Sequence, residues 1–262
     1  MATKKGGWTA FPHDNSAFVY DGAALKKNWA RLHKGDAEPF PADKAVEEAW
    51  RLYHAGDFQG AYEAGLAAGL DGYNAANKAA CIYNNYLETS DAKKQKAYEE
   101  IAARCEELQA AQKKNANAYY LAAYALGRYG QLIGVAKALT QGIGGKVSAA
   151  LNTAIKLEPK HADAHIALGT FNAEVIEKVG SMIGKMTYGV SKEAAVENYD
   201  KALKLNPDSA IARTEMADGL YKLFGDKKMK DVEKLYAEAA ACEPKDAMEC
   251  LDVEAAKAEM EE

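Results

Sequence analysis

The sequence predicts an all-α chain folded as a solenoid of antiparallel helix pairs. Three observations lead there. Alanine is abundant while proline occurs only six times in 262 residues, and alanine has the best helix propensity and proline the worst. Three segments align with one another: "VSAALNTAIKLEP" (147–159), "AAVENYDKALKLNP" (194–207) and "DVEKLYAEAAACEP" (231–244) share a small Ala154, Ala202 or Ala239, with Leu151, Tyr199 or Tyr236 three residues earlier. Each segment then meets a proline, Pro159, Pro207 or Pro244, which stops one helix before the next begins. Self-similarity of this kind marks stacked units, each too small to bury its apolar face alone.

In chain order, residues 1–42 open with "WTAFPHDNSAFVYDG", which reads as an extended arm carrying Trp8, Phe11, Phe18 and Tyr20, followed by a short helix around 22–34. Such an arm can cap the apolar end of a solenoid. The repeat region spans 43–244. "AGDFQGAYEAGLAAG" (55–69) is a turn and a second helix, 72–112 is degenerate but helical in period, and "NANAYYLAAYALG" (115–127) opens a further pair. The tail, 245–262, reads as a final capping helix with an acidic end.

This pattern resembles the tetratricopeptide (TPR) repeat. "HADAHIALG" matches a first helix with Leu168 and Gly169 in place, and "AAVENYDKALKLNP" a second helix with Ala195, Tyr199, Ala202 and Pro207; Gly56, Phe58 and Ala61 are in place in the turn and second helix upstream. The resemblance implies a TPR-type α-solenoid, a fold that serves many functions. The repeat layout is also similar to helical-repeat proteins of bacterial envelope transport, such as the T-component of TRAP-type systems. "YALGRYG" (124–130), with the apolar stretch after it, is similar to the regulator-of-microtubule-dynamics family. By the TPR resemblance, the concave groove is lined by Asn117, Tyr120, Tyr124 and Arg128, then Asp163, Ile166, Thr170 and Glu174, then Ile211, Thr214, Asp218 and Tyr221. TPR grooves that clamp acidic tails are basic there. The three carboxylates of this set would repel such a tail and suit a neutral or basic peptide, or a lipid-like molecule with one polar end.

Two repeats are overlong. Ala123 and Val147 are 24 residues apart, and Gly169 and Ala195 are 26 apart, against about 12 in an ordinary repeat. The excess is apolar and glycine-bearing: "YGQLIGVAKALTQGIGGK", then "VGSMIGKMTYGVSK". Insertions at equivalent places of stacked repeats emerge side by side. Three readings follow: longer helices closing a core against each other, a pocket or lid for an apolar ligand, or a tip that docks on a membrane or partner.

Other chemistry finds little footing. Net charge is −5 and no basic stripe is interleaved with aromatics, which argues against nucleic acid. No run of about 18 apolar residues marks a transmembrane helix. The first residues lack the apolar core of a signal peptide, so the expected location is cytoplasmic, or periplasmic and envelope-associated if a leader was removed. "GIGGKVS" (142–148) lacks the glycine and hydroxyl of a phosphate loop. His161 and His165 have metal-ligand spacing but no third ligand, which favours a structural role; His13, His33 and His54 fall in no recognisable site. Cys242 and Cys250 flank a short break and read either as a disulfide or as two thiols. No catalytic motif or cofactor signature is present, so the expectation is a non-enzymatic binding protein without cofactor.

Two function classes remain: a carrier of a lipid- or sterol-like molecule in envelope trafficking, and a scaffold that holds a peptide or protein in its groove. For the carrier, the candidate ligand-binding residues are Tyr120, Tyr124, Leu132, Ile133, Leu139, Ile166, Thr170, Val179, Met182, Ile183, Met186, Tyr188 and Tyr221.

Overall fold

The computed structural model describes residues 7–261, which contain helices and no strand. Thirteen α-helices follow one another: α1 (Gly22–Leu32), α2 (Lys44–His54), α3 (Phe58–Ala67), α4 (Tyr73–Tyr86), α5 (Asp91–Ala111), α6 (Ala116–Ile133), α7 (Val135–Thr140), α8 (Ile143–Leu157), α9 (Ala162–Tyr188), α10 (Lys192–Leu205), α11 (Ala210–Phe224), α12 (Met229–Ala240) and α13 (Ala247–Glu259). None is long and apolar enough to cross a membrane.

Local chemistry sets the boundaries. Asp21, Asp57, Asn115, Ser191, Ser209 and Asp246 each accept a hydrogen bond from a first-turn backbone N–H, removing an orphan donor from the helix they precede. α8, α10 and α12 end just before Pro159, Pro207 and Pro244, as the repeat alignment expects. The pairs α2–α3, α4–α5, α6–α8, α9–α10 and α11–α12 pack internally and each stacks on the next. Ala154, Ala202 and Ala239 are fully buried, and so are Leu151 and Tyr199. Tyr199 fills the seam between neighbouring pairs: a Cβ at Gly169 would lie 2.8 Å from its ring, and one at Gly219 would lie 2.4 Å from its hydroxyl. Glycine at 169 and 219 is what lets the helices come this close.

Within residues 7–21, Trp8 stacks on Tyr83 with centroids 4.1 Å apart, and Phe11 meets Phe58 edge-on. Residues 1–6 of the expected arm lie outside the described residues. α13 does more than follow the last pair. Its Ala247, Cys250 and Leu251 share one apolar cluster with Leu25, Trp29, Trp50 and Tyr53 of α1 and α2. The end of the chain therefore packs into the core of its beginning, and the concave face becomes a half-open chamber.

The overlong repeats are extended first helices. α6 runs to Ile133 and breaks at Gly134 (φ 93°) into the short α7. α9 runs to Tyr188 with one non-helical residue, Gly180 (φ 81°, ψ 156°), and stops at Gly189 (φ 70°). The two excursions meet: a Cβ at Gly144 would stand 2.6 Å from Leu139 and 3.1 Å from the Tyr188 ring. Phe171 closes on Tyr188 edge-on at 6.1 Å. Leu132, Leu139, Ile143, Val179 and Tyr188 all pack on the main core. The packed-core reading therefore holds for these residues.

Candidate ligand chamber on the concave face

The chamber has a volume of about 160 Å³ and is lined by residues of α4, α6, α8, α9, α11 and α13, with the α1–α2 loop at its rim. Its organisation begins with that loop. Gly35 lets the loop approach α9, because a Cβ there would lie 2.3 Å from the Asp163 carboxylate. The Asp163 amide donates to the Gly35 carbonyl at 3.0 Å. The loop's acids are then held by donors from two repeat helices. Lys78 Nζ of α4 donates to Asp36 Oδ2 at 2.5 Å, Asn74 Nδ2 to Glu38 at 2.9 Å, and Asn117 Nδ2 of α6 to Glu38 at 2.6 Å. Burial works against the charge on Asp36, yet Lys78 and His33 hold its carboxyl well below the usual range. Burial likewise opposes Lys78, which Asp36 and Asp163 keep charged.

Further along the chamber, Arg128 Nη2 donates to Glu215 Oε1 at 2.9 Å and its guanidinium lies over the Tyr124 ring at 5.3 Å. Thr170 Oγ1 donates to the other Glu215 oxygen at 2.8 Å. On the opposite wall the Tyr86 hydroxyl donates to Asp252 Oδ1 at 2.5 Å. Burial, with Asp246 and Glu249 adding to it against the Tyr86 bond, pushes the Asp252 carboxyl up to about 8. Burial also raises Asp163 to about 6, against the pull of Lys78. Beneath α7 the lining turns apolar, with Leu139, Ile143, Val147, Phe171 and Val175. One cavity thus joins a polar, acid-rich end to an apolar recess.

The sequence candidates divide. Tyr120, Tyr124, Leu139, Ile166 and Thr170 line the chamber; Leu132, Ile133, Val179, Met182, Ile183, Met186, Tyr188 and Tyr221 do not. Met182, Ile183 and Met186 are 76%, 54% and 83% exposed. They ride on the last two turns of α9, beyond the break at Gly180, and form an exposed tip. Tyr221 is also exposed. On α11 the face toward the chamber is Ile211 and Glu215. Asp218, expected in the groove, is instead bonded by the Tyr236 hydroxyl of α12.

His161 is spent on structure: its Nε2–H donates to Asn117 Oδ1 at 2.8 Å, and its Nδ1 accepts from the Ala164 amide at 3.1 Å as the cap of α9. His165 donates from Nδ1 to Asn198 Oδ1 at 2.7 Å. Cys242 and Cys250 are free thiols, and Cys242 Sγ donates to the Glu238 carbonyl at 3.4 Å. Sequence reasoning missed Asp36, Lys78, Glu249 and Asp252. It also left His33 and His54 without a role, although they are buried beside the chamber. A lone Lys78 in the apolar run "NAANKAACIY" was the one visible cue, since unpaired lysines are rarely buried.

No family model matches the chain, and no curated protein matches it by sequence. Among solved structures it is similar to a thermophilic TPR protein of Thermus thermophilus, with a TM-score of 0.56 at 16% identity, over 82% of this chain and 97% of that one. The fold is a TPR-type helical repeat. At this identity the likeness concerns architecture alone. Within it, the TPR concave face is the surface that α13 and the α1–α2 loop have closed into a chamber.

Proposed function

We propose that this TPR-type chain is a non-enzymatic interaction scaffold that receives a side chain or short segment of a partner protein in its concave chamber. The observation that carries this reading is the chamber itself: polar and charged groups from separate repeats converge there on one cavity that continues into an apolar recess. Such a site fixes orientation by its few polar groups and gains affinity from its apolar walls. At about 160 Å³ it suits a projecting side chain better than an extended strand.

The carrier reading has less support. Most of the apolar residues expected to enclose a lipid or sterol lie outside the chamber, and Met182, Ile183 and Met186 face solvent. Nothing in the comparison with the Thermus TPR protein speaks for envelope trafficking or a periplasmic location.

The test is site-specific photocrosslinking in cells. A photoreactive phenylalanine at Ile211, which lines the chamber, is expected to trap a protein that the same probe at exposed Lys156 does not. Filling the chamber with Ala167→Trp is expected to abolish that adduct. Equal capture at both sites, or an adduct that survives Ala167→Trp, would count against the scaffold.

A further inference from the structure

The charges in the chamber do not balance. Six carboxylates line it against two cations, Lys78 and Arg128. Lys78 is bonded to Asp36 and Arg128 to Glu215. At the rim Arg31 makes two bonds to Glu249, at 2.6 and 3.1 Å, and Lys222 stands 3.5 Å from Glu174. Two acids are left over. Asp163 has only the engaged Lys78, at 3.8 Å. Asp252 is 4% exposed and has the Tyr86 hydroxyl but no cation within salt-bridge distance among the described residues.

A third group independently asks for a donor. Asn206, in the turn between α10 and α11, lines the same cavity and is 6% exposed, and its amide oxygen has no hydrogen-bond partner among the described residues. An unmet buried acceptor costs about 1–3 kcal/mol, and a buried carboxylate costs more unless it is paired or takes a proton. Two acids and an unpartnered amide, from three elements, therefore line one cavity that is short of donors. Tyr120 and Tyr124 line it as well, and aromatic rings attract cations.

We infer that the chamber binds a primary ammonium or guanidinium carried on an apolar stem, the cation lodged by Asp163, Asp252 and the Asn206 amide oxygen and the stem running toward the recess beneath α7. The inference deepens the scaffold reading and rests on it for the source of the group, which in a partner protein is a lysine or arginine beside apolar residues. A free alkylamine offers the same chemistry. Burial favours a protonated Asp252, and an incoming cation displaces that proton.

Calorimetry at pH 7.5 tests this with three probes of one chain length, hexylammonium, hexanol and hexanoate, and with two capped tripeptides, Leu-Lys-Leu and Leu-Gln-Leu. Hexylammonium and the lysine peptide are expected to bind at least tenfold more tightly than their neutral or anionic counterparts. Asp252→Asn, which keeps the acceptor for Tyr86, is expected to weaken both at least tenfold while the protein stays folded. Hexanol binding as well as hexylammonium would overturn the inference without need of any variant, and so would unchanged affinity in folded Asp252→Asn. Hexylammonium binding without the lysine peptide would uphold the cation site and count against the partner-protein source. Crosslinking at Ile211 that is lost in Ala167→Trp but indifferent to Asp252→Asn would uphold the scaffold and overturn the cation site.

Discussion

The imidazoles of His33 and His54 meet Nε2 to Nε2 at 3.1 Å, in a buried line that runs from Asp36 to Asp246. His33 Nδ1 is 2.9 Å from Asp36 and His54 Nδ1 is 2.8 Å from Asp246. A carboxylate only accepts, so each Nδ1 carries a proton, and the contact between the rings needs one more. Three protons on two rings make one of them an imidazolium. Burial pushes His33 down to about 4, against the pull of Asp36. This line ties α2 and the α1–α2 loop to the start of α13, across the seam that closes the chamber.

Asp246→Asn keeps the cap on α13 and removes a carboxylate charge from a buried hydrogen-bonded line that holds one extra proton. Breaking a buried pair on one side costs about 3–5 kcal/mol, so the variant should lose stability of that order in urea unfolding. Nitrogen NMR of the wild type at neutral pH should show one doubly protonated ring in this pair.

Asp252 supplies a pH signature with a definite sign. Its carboxyl is raised to about 8 in the folded chain, against about 3.9 in an unfolded one. The folded state therefore binds more protons between those values, and the stability owed to this group is lost as pH rises through that window. Asparagine does not titrate. Asp252→Asn should gain on the wild type as pH goes from 5 to 8, by at most about 1.4 kcal/mol per unit, measured as the difference in urea unfolding free energy. A merely structural loss would show no such slope.

Much of the repeat was legible in the sequence, because period and small-large alternation are local properties. Ala202, Tyr199 and Pro207 sit within nine residues and report on one helix pair. The chamber was not legible for the opposite reason. Asp36, Lys78, Asp163 and Asp252 are scattered through the chain. The α1–α2 loop brings Asp36 to Lys78 and Asp163, and Asp252 joins them only when α13 packs beside α2. Spacing places Ile211, Thr214, Asp218 and Tyr221 on the groove face of α11, whereas Ile211 and Glu215 line the chamber, because i+3 and i+4 both fall near one helical face. Apolar sequence alone also could not separate Tyr188, packed on Phe171, from Met186, open to solvent on the same helix.

Gly169→Ala tests the close packing of the TPR seam. On an exposed helix the change would gain about 1 kcal/mol. Here the new Cβ would sit 2.8 Å from the Tyr199 ring, which is held on its other side by Gly219. Overpacking costs about 1–3 kcal/mol, so the net effect should be destabilising, read as a lower Tm. A variant as stable as the wild type would mean that the pairs can move apart.

The tip of α9 gives the last test, and its outcome separates the chamber from the insertion. Met182 and Met186 are 76% and 83% exposed, lie beyond the Gly180 break and line no part of the chamber. Surface substitutions away from special features change stability by about 0.5 kcal/mol or less. The double variant Met182→Asp, Met186→Asp should therefore keep the wild-type urea midpoint. It should also keep wild-type affinity for hexylammonium, since neither side chain reaches the acids that hold the cation. If the double variant lost that affinity while its midpoint stayed unchanged, the tip would have to fold back over the chamber, and the two insertions would act as a lid after all.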